Sequence, residues 1–395
     1  MTRARTAFIV WYTGDAGVGD TVGLLVSRRL LEDTLAGRPT FEEVRFYARA
    51  ARRYGVELFM FEPGGIDRRK RRAVGYVPAL FGRYVRAERP IPRAVYDRTA
   101  PGRIGPAAWL ERQGARVFNP PVRLDKFTAY ELLKVNPAAR VYLPETYLLS
   151  DVAFDWFASV LEGAPGRPGE VFIKPVGGSL GRRVGRFVQL ATGGCRFESG
   201  GRKVTFRSAR AAWRWLLRKK GKRAGRYIVQ EGIPLAEDRG RRFDLRVPVQ
   251  RGRDGCWRVI PPRARRAGRL GYVTNVARGG SVVKDVRALL ARCLPSCDPD
   301  VLSDKIEEAA LAVAAALARK YPRMADVGLD MGVDREGRPW LIEVNVRPLR
   351  YTVEGVGDWS EAYDAPIGYA AYLLRGPERP APEWRSLASI FYRRD

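Results

Sequence analysis

Asp330, Glu343 and Asn345 are the side chains whose types and spacing best suit joint chemistry. Gly328-Leu329-Asp330-Met331-Gly332-Val333-Asp334 and Trp340-Leu341-Ile342-Glu343-Val344-Asn345 each alternate apolar and polar residues, as half-buried strands do. Arg335-Glu336-Gly337-Arg338 reads as the turn between them. Paired as a hairpin, the strands set Asp330 across from Glu343, and Asn345 shares that face because strand side chains repeat every second residue. Two carboxylates and an amide oxygen are hard ligands of the kind that hold Mg²⁺ against a nucleotide's phosphates. Alone, the pattern also fits an ordinary hairpin with a polar wet face, so other residues must decide.

Lys174-Pro175-Val176-Gly177-Gly178-Ser179-Leu180-Gly181-Arg182-Arg183-Val184-Gly185 ends a strand in a glycine-rich loop. Glycine lets backbone amides approach a phosphate, and a strand-end lysine adds a point charge. The G-K-[ST] ending of a P-loop is missing, and a flexible hairpin is the plain alternative. Lys126 opens a helix further upstream and reads, by itself, as a surface lysine. Gln230-Glu231-Gly232-Ile233-Pro234 closes an apolar strand abruptly, as a segment joining two lobes and facing an adenine edge would, or as a simple turn. In Phe243-Asp244-Leu245-Arg246-Val247 the alternation puts Asp244 and Arg246 on one face. Thr274-Asn275-Val276-Ala277-Arg278-Gly279-Gly280 adds a second arginine. Two arginines without other partners are suited to clamping a transferring phosphoryl group or an acyl phosphate.

Composition removes several classes. The chain has no histidine, which excludes Ser-His-Asp and Cys-His nucleophiles and His-ligated zinc or iron. Its four cysteines (Cys195, Cys256, Cys293, Cys297) lack zinc-site spacing and read as ordinary thiols. No apolar run approaches the roughly 18 residues of a membrane span. The short apolar run after Met1 reads as a buried strand rather than a signal peptide, which points to a cytoplasmic protein. A net charge of +28 implies an anionic partner without naming it. The basic residues of 202–226 and 239–269 are read as largely solvated, and no nucleic-acid motif accompanies them.

The elements that must position these residues follow from periodicity. A strand over 8–12, a glycine-rich turn through Asp20 and a helix over Thr21–Leu35 open the chain. A helix near Phe41–Tyr54, strands at 56–61 and 91–96, a helix at 106–113 and a strand at 115–118 complete a small parallel α/β unit. Next come a helix from Asp125 to Lys134, strands at 171–174 and 186–190, a basic amphipathic helix over 208–220 and an apolar strand at 227–230. Arg242–Gln250 alternates as an edge strand, and an alanine-rich helix over Ser303–Lys320 precedes the hairpin.

In this order the parts resemble the ATP-grasp superfamily, and most of all its YheC/YheD-type branch associated with bacterial endospore coats. The shared phrases include Val95-Tyr96-Asp97-Arg98, Leu124-Asp125-Lys126, Leu143-Pro144-Glu145-Thr146, Phe172-Ile173-Lys174-Pro175, Gly178-Ser179-Leu180-Gly181 and Phe243-Asp244-Leu245-Arg246, within about residues 40–375. The resemblance implies an α/β (α+β) ATP-grasp fold of two α+β lobes, 121–229 and 230–395, behind a small Rossmann-like domain, 1–120. It implies that Lys126 and Lys174 contact ATP phosphates under a loop containing Gly178, Ser179 and Gly181. Gln230, Glu231 and Ile233 would hold adenine. Glu237, with Asp238 as rival, would hold ribose, and Asp244 would lie at the nucleotide site. Asp330, Glu343 and Asn345 would bind one or two Mg²⁺, while Arg246, Arg278 and Asn275 would stabilise an acyl phosphate. Arg183 and Val346-Arg347 stand where the pattern expects small residues.

The implied activity is an ATP- and Mg²⁺-dependent ligase joining a carboxylate to an amine, with small or peptide substrates, anionic by the charge argument. A spore-coat structural protein that binds ATP without ligating is the alternative. Nucleic acid has only charge in its favour, and oligomeric state is open.

Overall fold

The computed structural model describes residues 20–79, 82–99, 105–163, 169–178, 183–268, 280–348 and 360–376. The expected strand at 8–12 and the turn through Gly19 lie outside the described residues, as do Ser179, Gly181, Asn275 and Arg278.

Three sheets follow one another along the chain, so the mixed α+β architecture is as expected. The first has the order Tyr84–Pro90, Arg72–Pro78, Glu57–Asp67, Thr21–Val26, Ala94–Arg98, Arg116–Phe118. Its inner strands are parallel, with Thr21–Val26 flanked by Glu57–Asp67 and Ala94–Arg98. The expected helix over Thr21–Leu35 is therefore corrected. Thr21–Val26 is a buried strand, and only Arg28–Leu35 is helical, capped by Ser27. Three β-branched residues in six, Thr21, Val22 and Val26, favour the strand. Gly23 is needed there, because a Cβ would come within 2.9 Å of the Phe61 ring.

The second sheet is antiparallel, with the order Arg202–Phe206, Cys195–Ser199, Gly185–Gln189, Glu170–Pro175, Tyr227–Glu231, Thr146–Leu148. Helices Phe154–Glu162 and Ala209–Lys220 supply Phe157, Ala212, Trp213 and Leu216 to its core, against Val171, Ile173 and Val229. Trp213 is buried, and Trp215 packs on Phe197 and Phe206, so both belong to this core. Strand alternation turns Lys174, Ile228 and Gln230 to the opposite face.

The third sheet runs Ser281–Val283, Arg263–Arg266, Arg241–Arg251, Asp326–Val333, Pro339–Asn345. Arg241–Arg251 is thus a central strand and not the expected edge. Its apolar face, Phe243, Leu245, Val247 and Val249, packs with Val327, Leu329, Met331 and Val333 of Asp326–Val333 under helix Pro299–Lys320. That helix starts at Asp298, which accepts from Asp300 N, with Pro299 in its first turn, a strong start signal. Helix Lys126–Lys134, capped by Asp125 on Thr128 N at 2.9 Å, contributes Leu133 to the same core. The last helix, Glu361–Arg375, returns to the first sheet and packs on helix Val44–Arg53 through Tyr363, Ile367 and Ala370.

Candidate active site

Asp326–Val333 is buried along its whole length, with its apolar residues on one face and Asp326, Gly328, Asp330 and Gly332 on the other. Both glycines are required by close approach. A Cβ on Gly328 would meet Pro348 at 2.8 Å, and one on Gly332 would meet Leu235 at 2.3 Å. The hairpin register sets Asp330 opposite Glu343 and Gly328 opposite Asn345, as the sequence predicts. A bulge between Asp330 and Met331 breaks the ladder there, a feature common beside active sites.

Asp330 is only 7% exposed. Burial pushes its pKa up, but Arg246 and Arg265 outweigh burial and hold the carboxyl below the usual range. Arg246 Nε lies 2.7 Å from Oδ1, and Arg265 Nη2 lies 3.0 Å from Oδ2. The Oδ1 contact is not aligned as a hydrogen bond, so Oδ1 is a buried acceptor without one. Arg246, expected to be without a partner, is thus corrected to an ion pair.

Sequence reasoning missed Arg265. It comes from Arg263–Arg266, the strand beside Arg241–Arg251, and the register puts it opposite Asp244. Asp244 accepts from Arg265 Nε and Nη2, both at 2.7 Å. Asp238 is likewise enclosed by Arg266 at 2.7 Å and Arg292 at 3.1 Å, and Glu170 accepts from Arg242 at 2.6 Å. The basic run 239–269 is therefore not simply solvated. Several of its arginines are part-buried ion-pair partners, and the Arg-Ala-Arg alternation marks their strand without marking those partners.

Across the lobes, Lys126 Nζ donates to Gly178 O at 2.7 Å and pairs with Glu343 Oε1 at 3.2 Å. Lys174 donates to Gln230 Oε1, and Gln230 Nε2 donates to Thr146 Oγ1 at 2.8 Å. Enclosure of the Lys174 ammonium brings its pKa down to about 8, with Glu343 opposing and Lys126 adding to the fall. A narrow cleft of about 40 Å³ runs between Lys126, Tyr130, Leu143, Ile228, Gln230, Leu341 and Glu343. That is about one water's share of liquid volume, too little for a ring system as it stands.

Gln230 therefore spends its side chain on its neighbours in the second sheet. Glu231 accepts from Glu145 N at 2.8 Å, and burial raises its pKa. Ile233 is nearly buried. Glu237 stands apart, within 3.9 Å of Arg242 and Arg335. Arg183 is exposed with φ +60°. Arg347 turns away from the hairpin and donates to Asp97 O at 2.9 Å and Asn119 O at 3.3 Å, at the ends of two strands of the first sheet.

Among the described residues no three His, Cys, Asp or Glu side chains cluster, so a cation here would rest on Asp330, Glu343 and the Asn345 amide. The donor set fits one. Asp330 Oδ1 is buried without a hydrogen bond, and among the described residues the side-chain partners of both carboxylates are cations.

The carboxylate hairpin of the third sheet thus faces Lys126 and Lys174, and the sequence comparison gives the class of protein that carries it. The profile described as "YheC/D like ATP-grasp" matches residues 114–373, and the chain belongs to that family. It is 26% identical over 279 residues to the endospore coat-associated protein YheD of Bacillus subtilis (strain 168), covering 66% of this chain and 58% of YheD. The chain thus spans little more than half of that relative. It is 23% identical over 345 residues to YheC of the same organism, also named endospore coat-associated, covering 83% of this chain and 91% of YheC. Among solved structures, the C-terminal domain of K. lactis Pby1, titled an ATP-grasp enzyme, aligns at TM-score 0.48 and 14% identity over 88% of this chain and 91% of that one. The D-alanine-D-alanine ligase of Coxiella burnetii aligns at 0.45 and 11%, over 89% and 95%. No helix among the described residues is long and apolar enough to cross a membrane.

Proposed function

We propose that the chain is an ATP- and Mg²⁺-dependent ligase that joins a carboxylate to an amine through an acyl phosphate. The observation that carries this reading is Asp330 Oδ1, a buried, ionised oxygen left without a hydrogen bond on a hairpin that faces Lys126. When bound, Mg²⁺ supplies charge neutralisation at the phosphates undergoing transfer. Lys126 and Lys174 hold phosphate oxygens, and Lys126 leaves Glu343 free for the cation as it does so. The loop through Gly178, Ser179 and Gly181 covers the phosphates. Gln230, Glu231 and Ile233 border adenine, Glu237 serves ribose, and Asp244 acts behind the phosphate site. Arg246, with Arg278 and Asn275, takes the charge that develops on the acyl phosphate. None of these roles needs histidine. The basic surface favours anionic acids as substrates, including acidic peptides.

Screening acids and amines for ADP release, with mass spectrometry of the products, tests the proposal. If an Asp330→Asn/Glu343→Gln variant turned over ATP as fast as the parent, the mechanism would be wrong.

The coat-associated names of both relatives favour a second reading, a spore-coat protein made in the cytoplasm that binds ATP without ligating. Calorimetry with ATP beside a turnover assay separates the two, because the scaffold binds nucleotide and releases no ADP.

A further inference from the structure

We infer that Arg265, locked onto Asp244, is a positioning residue that fixes the metal-facing carboxylate of Asp330; this rests on the metal reading above. The strand register alternates charge across three strands, with Asp244 opposite Arg265 and Arg246 opposite Asp330. Arg265 makes two 2.7 Å bonds to Asp244, and its Nη2 also reaches Asp330 Oδ2 at 3.0 Å. A guanidinium forked onto one carboxylate is fixed in plane and direction. Swinging away would cost it both of those bonds to Asp244, itself 3% exposed.

Arg246 is held differently. Its ion pair among the described residues is Asp330 alone, through Nε at 2.7 Å and Nη2 at 3.4 Å. No second carboxylate anchors it from behind. The two arginines therefore divide the work. Arg265 holds Oδ2 and leaves Oδ1, which touches Arg246 Nε at 2.7 Å but has no hydrogen bond, as the oxygen for the cation. Arg246 is able to leave Asp330 for a developing phosphoryl charge without releasing the carboxylate. Partners that orient a metal-binding carboxylate from behind typically change metal affinity by about 10–100-fold when lost.

The test titrates Mn²⁺, a paramagnetic stand-in for Mg²⁺, into the full chain with ADP present and reads the free ion by electron paramagnetic resonance. Arg265→Lys keeps the charge but loses the fork, and Asp244→Asn releases it. Each is expected to weaken Mn²⁺ binding by about 10–100-fold. The double variant Asp244→Asn/Arg265→Met removes both buried charges together, so it keeps its melting temperature better than either single variant and loses the same affinity. Arg287→Lys, at an ion-pair arginine that pairs with Asp300, leaves Mn²⁺ affinity near the parent's. Parent-like affinity in whichever Arg265 variant folds overturns the assignment, and so does an equal loss in Arg287→Lys. A parent that takes up no Mn²⁺ with ADP overturns the metal reading itself, and this inference with it.

Discussion

Asp326 and Asp330 lie four residues apart on one strand and one face, and both are buried. Their surroundings differ in kind. Asp326 receives the Tyr96 hydroxyl, Gln250 Nε2 at 2.8 Å and Arg98 Nη1 at 3.5 Å, and Arg98 also reaches Glu42 and Pro348 O. Arg347 crosses the other way to Asp97 and Asn119, so the junction of the first sheet and the large lobe is stitched from both sides. Asp330 faces two arginines and a bulge, with one oxygen lacking a hydrogen bond. Burial and charge are common to both; of the two carboxylates, Asp330 is the one with an oxygen lacking a hydrogen bond.

The largest expected effects break that contrast directly. Asp326→Asn takes the charge from an acceptor shared by Tyr96, Gln250 and Arg98, and although Arg98 keeps Glu42, each buried bond to a charged group is worth about 1.5–3 kcal/mol. A large drop in thermal midpoint is expected. Asp330→Asn lowers the midpoint less, because Arg265 keeps Asp244, yet it cuts ADP release by at least about a hundredfold. If the two variants melted alike and turned over alike, the distinction between the two carboxylates would not hold.

The next effect sharpens the site side of the comparison through pH. Lys174 titrates near 8 because its ammonium is enclosed, so it loses its charge as pH rises through that value. ATP affinity is expected to fall above pH 8 by at most about tenfold per unit, one proton's worth. Stability of the nucleotide-free protein moves the other way. Between pH 8 and the unperturbed lysine value of about 10.4, the unfolded chain binds the extra proton, so stability rises with pH. Lys174→Gln removes both trends. An ATP affinity that stayed flat from pH 7 to 9.5 in the parent would detach Lys174 from the phosphates.

How legible all this was varies by element. The hairpin register was readable because period-two alternation around a short turn leaves little freedom, and Asp330 does pair with Glu343. Asp125 and Lys126 were readable because a capping Asp marks a helix start. The first described strand was not, because its apolar run follows glycines and runs into Ser27, which caps the helix. The hairpin of Arg72–Pro78 and Tyr84–Pro90 was missed because Gly75 interrupts the first strand, the second is charged, and both are largely half-exposed. Arg265 was missed because a partner 21 residues away across a ladder leaves no local mark, and an arginine in a basic run looks solvated. Ion pairs across strands are a tertiary fact.

Arg183 gives the smallest expected effect and lies at the opposite extreme from Asp326, exposed and on a strained backbone. A non-glycine residue at φ +60° costs about 1–2 kcal/mol. Glycine would relieve that, but it loses about 0.5–1 kcal/mol more through chain entropy on folding. Arg183→Gly should therefore shift stability by no more than about 1 kcal/mol, or a few degrees in the melting curve. With stability so nearly unchanged, ATP affinity becomes a clean measure of what the side chain does. A severalfold loss assigns it a phosphate contact. Unchanged affinity with faster nucleotide association makes it a brake on loop closure, since a glycine there lets the 177–185 loop settle sooner. Stopped-flow binding of a fluorescent ATP analogue separates these outcomes, and a change in neither removes Arg183 from the site.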